Sequence, residues 1–114
     1  MMLQIISSQY QRELTFSQTY KHSKCEVSQN GRMVQNGHYC LCDQVISKNG
    51  VTSFAFKFIQ LHSCCFIGIG IREIIQKNNY YGNVTSGYGS YTINHNKYCY
   101  SHHGKRQRWQ TIII

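Results

Sequence analysis

An all-β, antiparallel β-sandwich is the fold that this sequence predicts, on three observations. Turn signals recur at short intervals, with Asn30-Gly31, Asn36-Gly37 and Asn49-Gly50 each punctuating an apolar or aromatic run, the spacing of short strands joined by tight turns. Nine tyrosines stand against no proline, a balance that suits pleated strands and not extended linkers. The densest apolar stretch, residues 54–71 (FAFKFIQLHSCCFIGIGI), sets Phe54, Phe56 and Phe58 in alternation with Ala55 and Lys57, the period of a half-buried strand.

That stretch is predicted to organise the rest as a central β-hairpin. A polar hinge at residues 60–63 splits it, and the second half interleaves Phe66, Ile67, Ile69 and Ile71 with Gly68 and Gly70. A helix is the competing assignment, but two glycines in seven residues would cost it about 1 kcal/mol each relative to alanine. The glycines instead suit a strand whose neighbour comes very close. Phe56 and Ile69 are expected in the core, where truncation to alanine costs about 2–5 kcal/mol.

Taken in order, residues 1–13 carry one apolar patch (Met1, Met2, Leu3, Ile5, Ile6) and read as an edge strand or a frayed terminus. Leu14, Thr15 and Phe16 open the ordered part. Residues 25–34 read as strand, turn, strand around Asn30-Gly31, because both turn residues accept positive φ. Residues 38–42 alternate again, and Lys48-Asn49-Gly50 turns the chain into the Phe54 strand. Residues 72–76 suit a single helical turn. Residues 78–89 form a loop of Tyr, Asn, Gly and Ser, followed by strands at 90–93 and 97–101 with a turn over 94–97. The chain ends in a basic and then apolar tail at 104–114, so the organisation is one domain at 14–103 between an N-terminal segment and a tail.

At 114 residues the chain holds one core. Its net charge of +8 comes from twelve Lys and Arg against four acids, but only Lys105-Arg106-Gln107-Arg108 forms a run. A solvated basic surface explains that pattern; a small basic nucleic-acid-binding β domain, with exposed tyrosines stacking on bases, is the alternative. Six cysteines without a recognisable signal peptide lead us to expect a cytoplasmic chain with reduced thiols. Asn83-Val84-Thr85 has the form of a glycosylation acceptor and reads here as a turn.

In this order the segments resemble the SPRY domain, a β-sandwich that recognises other proteins, over about residues 14–103. Cys25-Glu26-Val27-Ser28-Gln29-Asn30-Gly31-Arg32-Met33-Val34 is similar to the family's opening hairpin. Phe54-Ala55-Phe56-Lys57-Phe58 sits where members carry an aromatic-rich strand, and Phe66-Ile67-Gly68-Ile69-Gly70 is similar to their hydrophobic-Gly-hydrophobic strand. Gly89-Ser90-Tyr91-Thr92-Ile93 and Tyr98-Cys99-Tyr100-Ser101-His102 resemble the next pair. The departures are the absence of a Gly-Asp turn and of the tryptophan before the Ile-Gly strand, where Cys64 or Cys65 stands. Only residues 111–114 remain to begin the family's last strands, so the resemblance implies a truncated domain whose open sheet edge favours self-association or capture of a partner strand. It also implies a non-catalytic protein-interaction module that grips its partner through loops at one end of the sandwich.

Candidate chemistry is sparse. His22, Cys25, His38, Cys40 and Cys42 supply enough ligands for one tetrahedral zinc, which makes a zinc-stabilised module a second alternative. Cys40 and Cys42 also alternate as core residues of a strand would. His62 beside Cys64-Cys65 suggests a thiol and a base, yet sequence neighbours on a strand point to opposite faces, and buried free thiols are the simpler account. Four acids leave little for paired-carboxylate catalysis, and Gly68-Ile69-Gly70 lacks the third glycine of a dinucleotide fingerprint. No enzyme, metal or cofactor is expected. The expected contact residues are Tyr80, Tyr81 and Tyr88, rigid amphipathic rings among small polar groups, with His102 and His103 beside the basic run.

Overall fold

The computed structural model describes residues 2–6, 14–35, 37–46, 55–60, 65–94, 98–104 and 107–108. In chain order these form β1 (Met2–Ile6), β2 (Phe16–Lys21), β3 (Glu26–Ser28), β4 (Met33–Gln35), β5 (Cys40–Cys42), β6 (Ala55–Gln60), β7 (Phe66–Gly70), α1 (Arg72–Lys77), β8 (Ser90–Asn94), β9 (Tyr98–Ser101) and β10 (Gln107–Arg108). The chain is all-β and antiparallel in every pairing among the described residues. The strands make two four-stranded sheets, ordered β3-β4-β1-β6 and β10-β9-β8-β7, and a two-stranded sheet of β2 and β5. The turns over Asn49-Gly50 and 94–97, the His62-Cys64 pair and the apolar residues 111–114 fall on or across positions outside the described residues.

The opening hairpin follows from its turn. Gln29, Asn30 and Gly31 take φ of 54°, 56° and 84°, the left-handed region that Asn and Gly tolerate best, and the Arg32 N–H closes the turn on the Gln29 carbonyl at 3.1 Å. β3 and β4 then pair with Val27 opposite Val34.

β1 is neither an edge strand nor a frayed end. It lies inside the first sheet, between β4 and β6. Leu3 stands opposite both Val34 and Phe58, and Ile5 opposite Phe56, so alternation sends Leu3 and Ile5 to the face where those apolar partners lie. Leu3, Ile5, Phe16, Cys25, Val34 and Cys65 form the buried core, with Leu14, Val27, Cys40, Cys42 and Phe56 packed against it. The Phe16 and Phe56 rings meet at 5.9 Å between centroids.

The two apolar strands of residues 54–71 exist, but they are not a hairpin. β6 pairs with β1, whereas β7 pairs with β8 in the other sheet. The reason is partner quality: β1 offers β6 a second row of apolar residues, and β8 offers β7 small side chains against its glycines. A Cβ on Gly68 would run into the Tyr91 carbonyl oxygen and approach the Thr92 Cα to 2.9 Å, and one on Gly70 would strike the Ile75 side chain. Glycine is therefore needed where the strand meets its neighbours, as its placement in the sequence suggests.

The same alternation moves Ile69 out of the core. Gly68 and Gly70 lie opposite Thr92 and Ser90, which are buried, and neither glycine has room for a Cβ. Ile69 lies opposite Tyr91 on the other face and is 48% exposed.

The helix α1 forms directly after β7 and buries Ile75. Its Arg72 guanidinium lies 3.9 Å from the centre of the Tyr20 ring and donates to the Cys42 and Asp43 carbonyls at 3.1 and 3.3 Å. Among the described residues no helix is long and apolar enough to cross a membrane.

Candidate functional site

The loop over residues 78–89 begins where α1 ends. Asn79 and Tyr80 both adopt left-handed backbone, at φ of 56° and 58°, which costs a side-chain-bearing residue about 1–2 kcal/mol. The cost is met by closure: the Asn79 and Tyr80 N–H groups donate to the Gln76 and Ile75 carbonyls at 2.9 Å each, and the Tyr80 carbonyl accepts from Tyr39 N–H at 3.0 Å. Further on, the Asn83 side-chain oxygen accepts from the Thr85 N–H at 3.0 Å and from its hydroxyl at 2.6 Å, an Asx turn.

Tyr39 fastens the loop from beneath. Its hydroxyl donates to the Asn83 carbonyl at 2.7 Å and shares a 2.6 Å hydrogen bond with Ser90 Oγ. Ser90 is fully buried, and burial raises the Tyr39 pKa although the Ser90 contact opposes the shift. A half-buried phenol with two partners is a structural clamp.

Two histidines fasten the loop from the sides. Gly82 N–H donates to His38 Nδ1 at 3.0 Å, and Gly89 N–H donates to His102 Nδ1 at 3.0 Å. The His102 carbonyl also accepts from Gly87 N–H at 2.9 Å and from the Ser86 hydroxyl at 3.0 Å.

The side chains singled out in the sequence separate into two groups. Tyr81, 59% exposed, packs on the His38 ring at 4.8 Å, and His38 in turn stacks on His22 at 4.1 Å. His22 also accepts from Lys24 N–H at 3.1 Å; partial desolvation, and then the nearby His38, Lys24 and Lys21, lower its pKa. At the other end of the loop, His102 holds the backbone beside Tyr88, which is 38% exposed. His103 hydrogen-bonds the Tyr91 hydroxyl through Nδ1, and its ring lies 4.7 Å from that of His102. Tyr80 contributes backbone closure to the loop and its ring is half-buried.

His22, His38, Tyr39 and Tyr91 are the members of this surface that the sequence reading does not assign to it. His38 and Gly82 are 44 positions apart, so no local spacing links them.

Among the described residues no three His, Cys, Asp or Glu side chains converge as a metal site. Cys25 donates to the Gly37 carbonyl within the core and His38 faces Gly82, so Cys25, His38, Cys40 and Cys42 do not share a centre. Burial pushes the Cys40 thiol up to about 12 and those of Cys42 and Cys65 up to about 11, which leaves them protonated and weakly nucleophilic at neutral pH. Arg72 is engaged internally as described, and so is Lys21, whose ammonium donates to the Cys25 carbonyl at 2.8 Å.

Comparison with protein-family models, with curated proteins and with solved structures finds no match to this chain.

Proposed function

We propose that the chain is a non-catalytic, cytoplasmic protein-interaction module of SPRY-like type, whose contact surface is the loop over residues 78–88 flanked by His102 and His103. The observation that carries this reading is the contrast within the loop: its backbone is fastened by Tyr39, His38 and His102, while Tyr81 and Tyr88 stay exposed. Fixed backbone with outward aromatic rings loses little entropy on binding and offers large amphipathic contacts. The engagement of Lys21 and Arg72 within the fold weighs against a phosphate-binding groove built on them.

The test compares the proteins captured by the immobilised full chain with those captured by a Tyr81→Ala/Tyr88→Ala double variant. The reading requires a partner lost with the two rings and held as salt rises from about 50 to 200 mM, a range over which nucleic-acid binders lose about 10³–10⁵ in affinity. Equal capture by the variant sinks it, and capture that collapses with salt or nuclease treatment moves the chain to the nucleic-acid class.

A further inference from the structure

We propose that the loop over residues 78–89 is a pH-gated surface, latched at both ends by neutral imidazoles and released when His38 and His102 take up a proton. An imidazole that accepts a backbone N–H at Nδ1 carries its own hydrogen on Nε2. Both latches have this form, with Gly82 N–H on His38 and Gly89 N–H on His102, each at 3.0 Å. A proton from solvent binds the ring at Nδ1, because Nε2 is already protonated. The acceptor becomes a donor, and two N–H groups face one another where a hydrogen bond had been.

The groups that face the two rings differ from one latch to the other. His38 is faced by the His22 ring at 4.1 Å, from the turn after β2, and by the uncharged Tyr81 ring at 4.8 Å. Lys24 and the carboxylate of Glu26 line the groove beside it. Charging His38 and His22 together would place two imidazolium rings in stacking contact, and His22 makes the same kind of Nδ1 bond to Lys24 N–H. His102 is faced by His103 at 4.7 Å and by Tyr91 at 6.4 Å, and the loop itself carries no charged residue from 78 to 89. Both latches thus respond in the same direction. Acid loosens the two ends that flank Tyr81 and Tyr88, while the Tyr39 clamp in the middle does not titrate in that range.

The use of such a gate rests on the reading of this loop as a contact surface, but the gate is measured on the free protein. Failure of the gate and failure of the contact reading are therefore separate results. The measurement is NMR on the isotopically labelled full chain, from about pH 8 to about pH 5, the range in which imidazoles take up protons. Ring nitrogen shifts at the upper pH should report the Nε2–H tautomer for both histidines. As pH falls through this range the protection of the Gly82 and Gly89 amides should drop, by up to about tenfold per pH unit when one proton is linked to each opening. The Ile5 amide, bonded to the Arg32 carbonyl in the first sheet, should hold its protection.

His38→Asn and His102→Asn replace each Nδ1 by an amide oxygen that accepts at every pH, and Asn tolerates the φ of 70° at position 38. In these variants protection of the matching glycine should become flat with pH. Titrating rings with unchanged Gly82 and Gly89 protection in the wild type, or an Nδ1–H tautomer at the upper pH, would overturn the proposal.

Discussion

Replacing Leu3 by alanine removes three carbons from the middle of the first sheet, and the structure sets the size of the effect. Leu3 is 5% exposed and stands opposite Val34 on one side and Phe58 on the other. Because β1 is hydrogen-bonded along both edges, its neighbours are held by their ladders and cannot slump into the space. The loss should fall in the upper part of the Leu→Ala range, about 3–5 kcal/mol. Against a total of about 5–15 kcal/mol for a domain, that is a large fraction. Ile69→Ala is the matched control, since it deletes a similar volume from a residue that is 48% exposed; it should cost about 1 kcal/mol or less, the span of strand propensity. Equilibrium urea unfolding reads both. With a slope of about 1–3 kcal/mol per molar for small proteins, the Leu3→Ala midpoint should drop by at least about 1 M and the Ile69→Ala midpoint by clearly less. Equal midpoints for the two variants would refute the placement of β1 as an interior strand.

Three further outcomes are expected. Tyr39→Phe removes two hydrogen bonds and orphans the buried Ser90 hydroxyl, so stability should fall by about 1–3 kcal/mol, with amide exchange rising around residues 83–90. Gly68→Ala forces a methyl group into the β8 backbone and should destabilise by about 1–3 kcal/mol or block folding, visible as loss of the cooperative transition. The raised thiols predict both slow labelling of the native protein by a thiol reagent near neutral pH and a one-sided alkaline response. Since Cys40 rises from 9.0 to about 12, and Cys42 and Cys65 to about 11, the stability they lend is complete below about pH 9. It is lost as pH climbs toward those folded values, because the unfolded chain ionises first. A melting temperature that holds steady from pH 8 to about pH 11 would contradict the burial.

What the sequence made legible was local. The Asn30-Gly31 turn, the single helical turn after β7, the loop over 78–89 and the strand beginning at Ser90 each rest on chemistry within a few residues, and each is where the residues place it. Partnerships at a distance were not legible. Leu3 reads as a terminal apolar patch because nothing nearby says that residues 55–60 will pair alongside it. Phe56 and Ile69 look alike in a hydropathy pattern, and what separates them is the partner strand: Phe56 stands opposite the buried Ile5 and packs against the core, whereas Ile69 stands opposite Tyr91 in the other sheet. The exposure of Tyr81 was readable from its polar neighbours. That His38 would supply its platform was not, because His38 meets the loop only through long-range bonds, Tyr39 N–H to the Tyr80 carbonyl and Gly82 N–H to His38.

The position of β1 also dictates an order of events. Leu3 is made first and Phe58 fifty-five positions later, yet the two stand opposite one another in the finished sheet. During synthesis the first strand must therefore stay available, apolar and unpaired on one side, until residues 55–60 have emerged. Such long-range closure makes folding slow compared with chains of the same size built from local contacts, and it gives this chain an interval in which anything that shields or captures residues 2–6 decides whether the sheet assembles. A bulky fusion placed immediately before β1 should thus lower the yield of folded protein by acting on the path to the native state, with little change in its stability once formed.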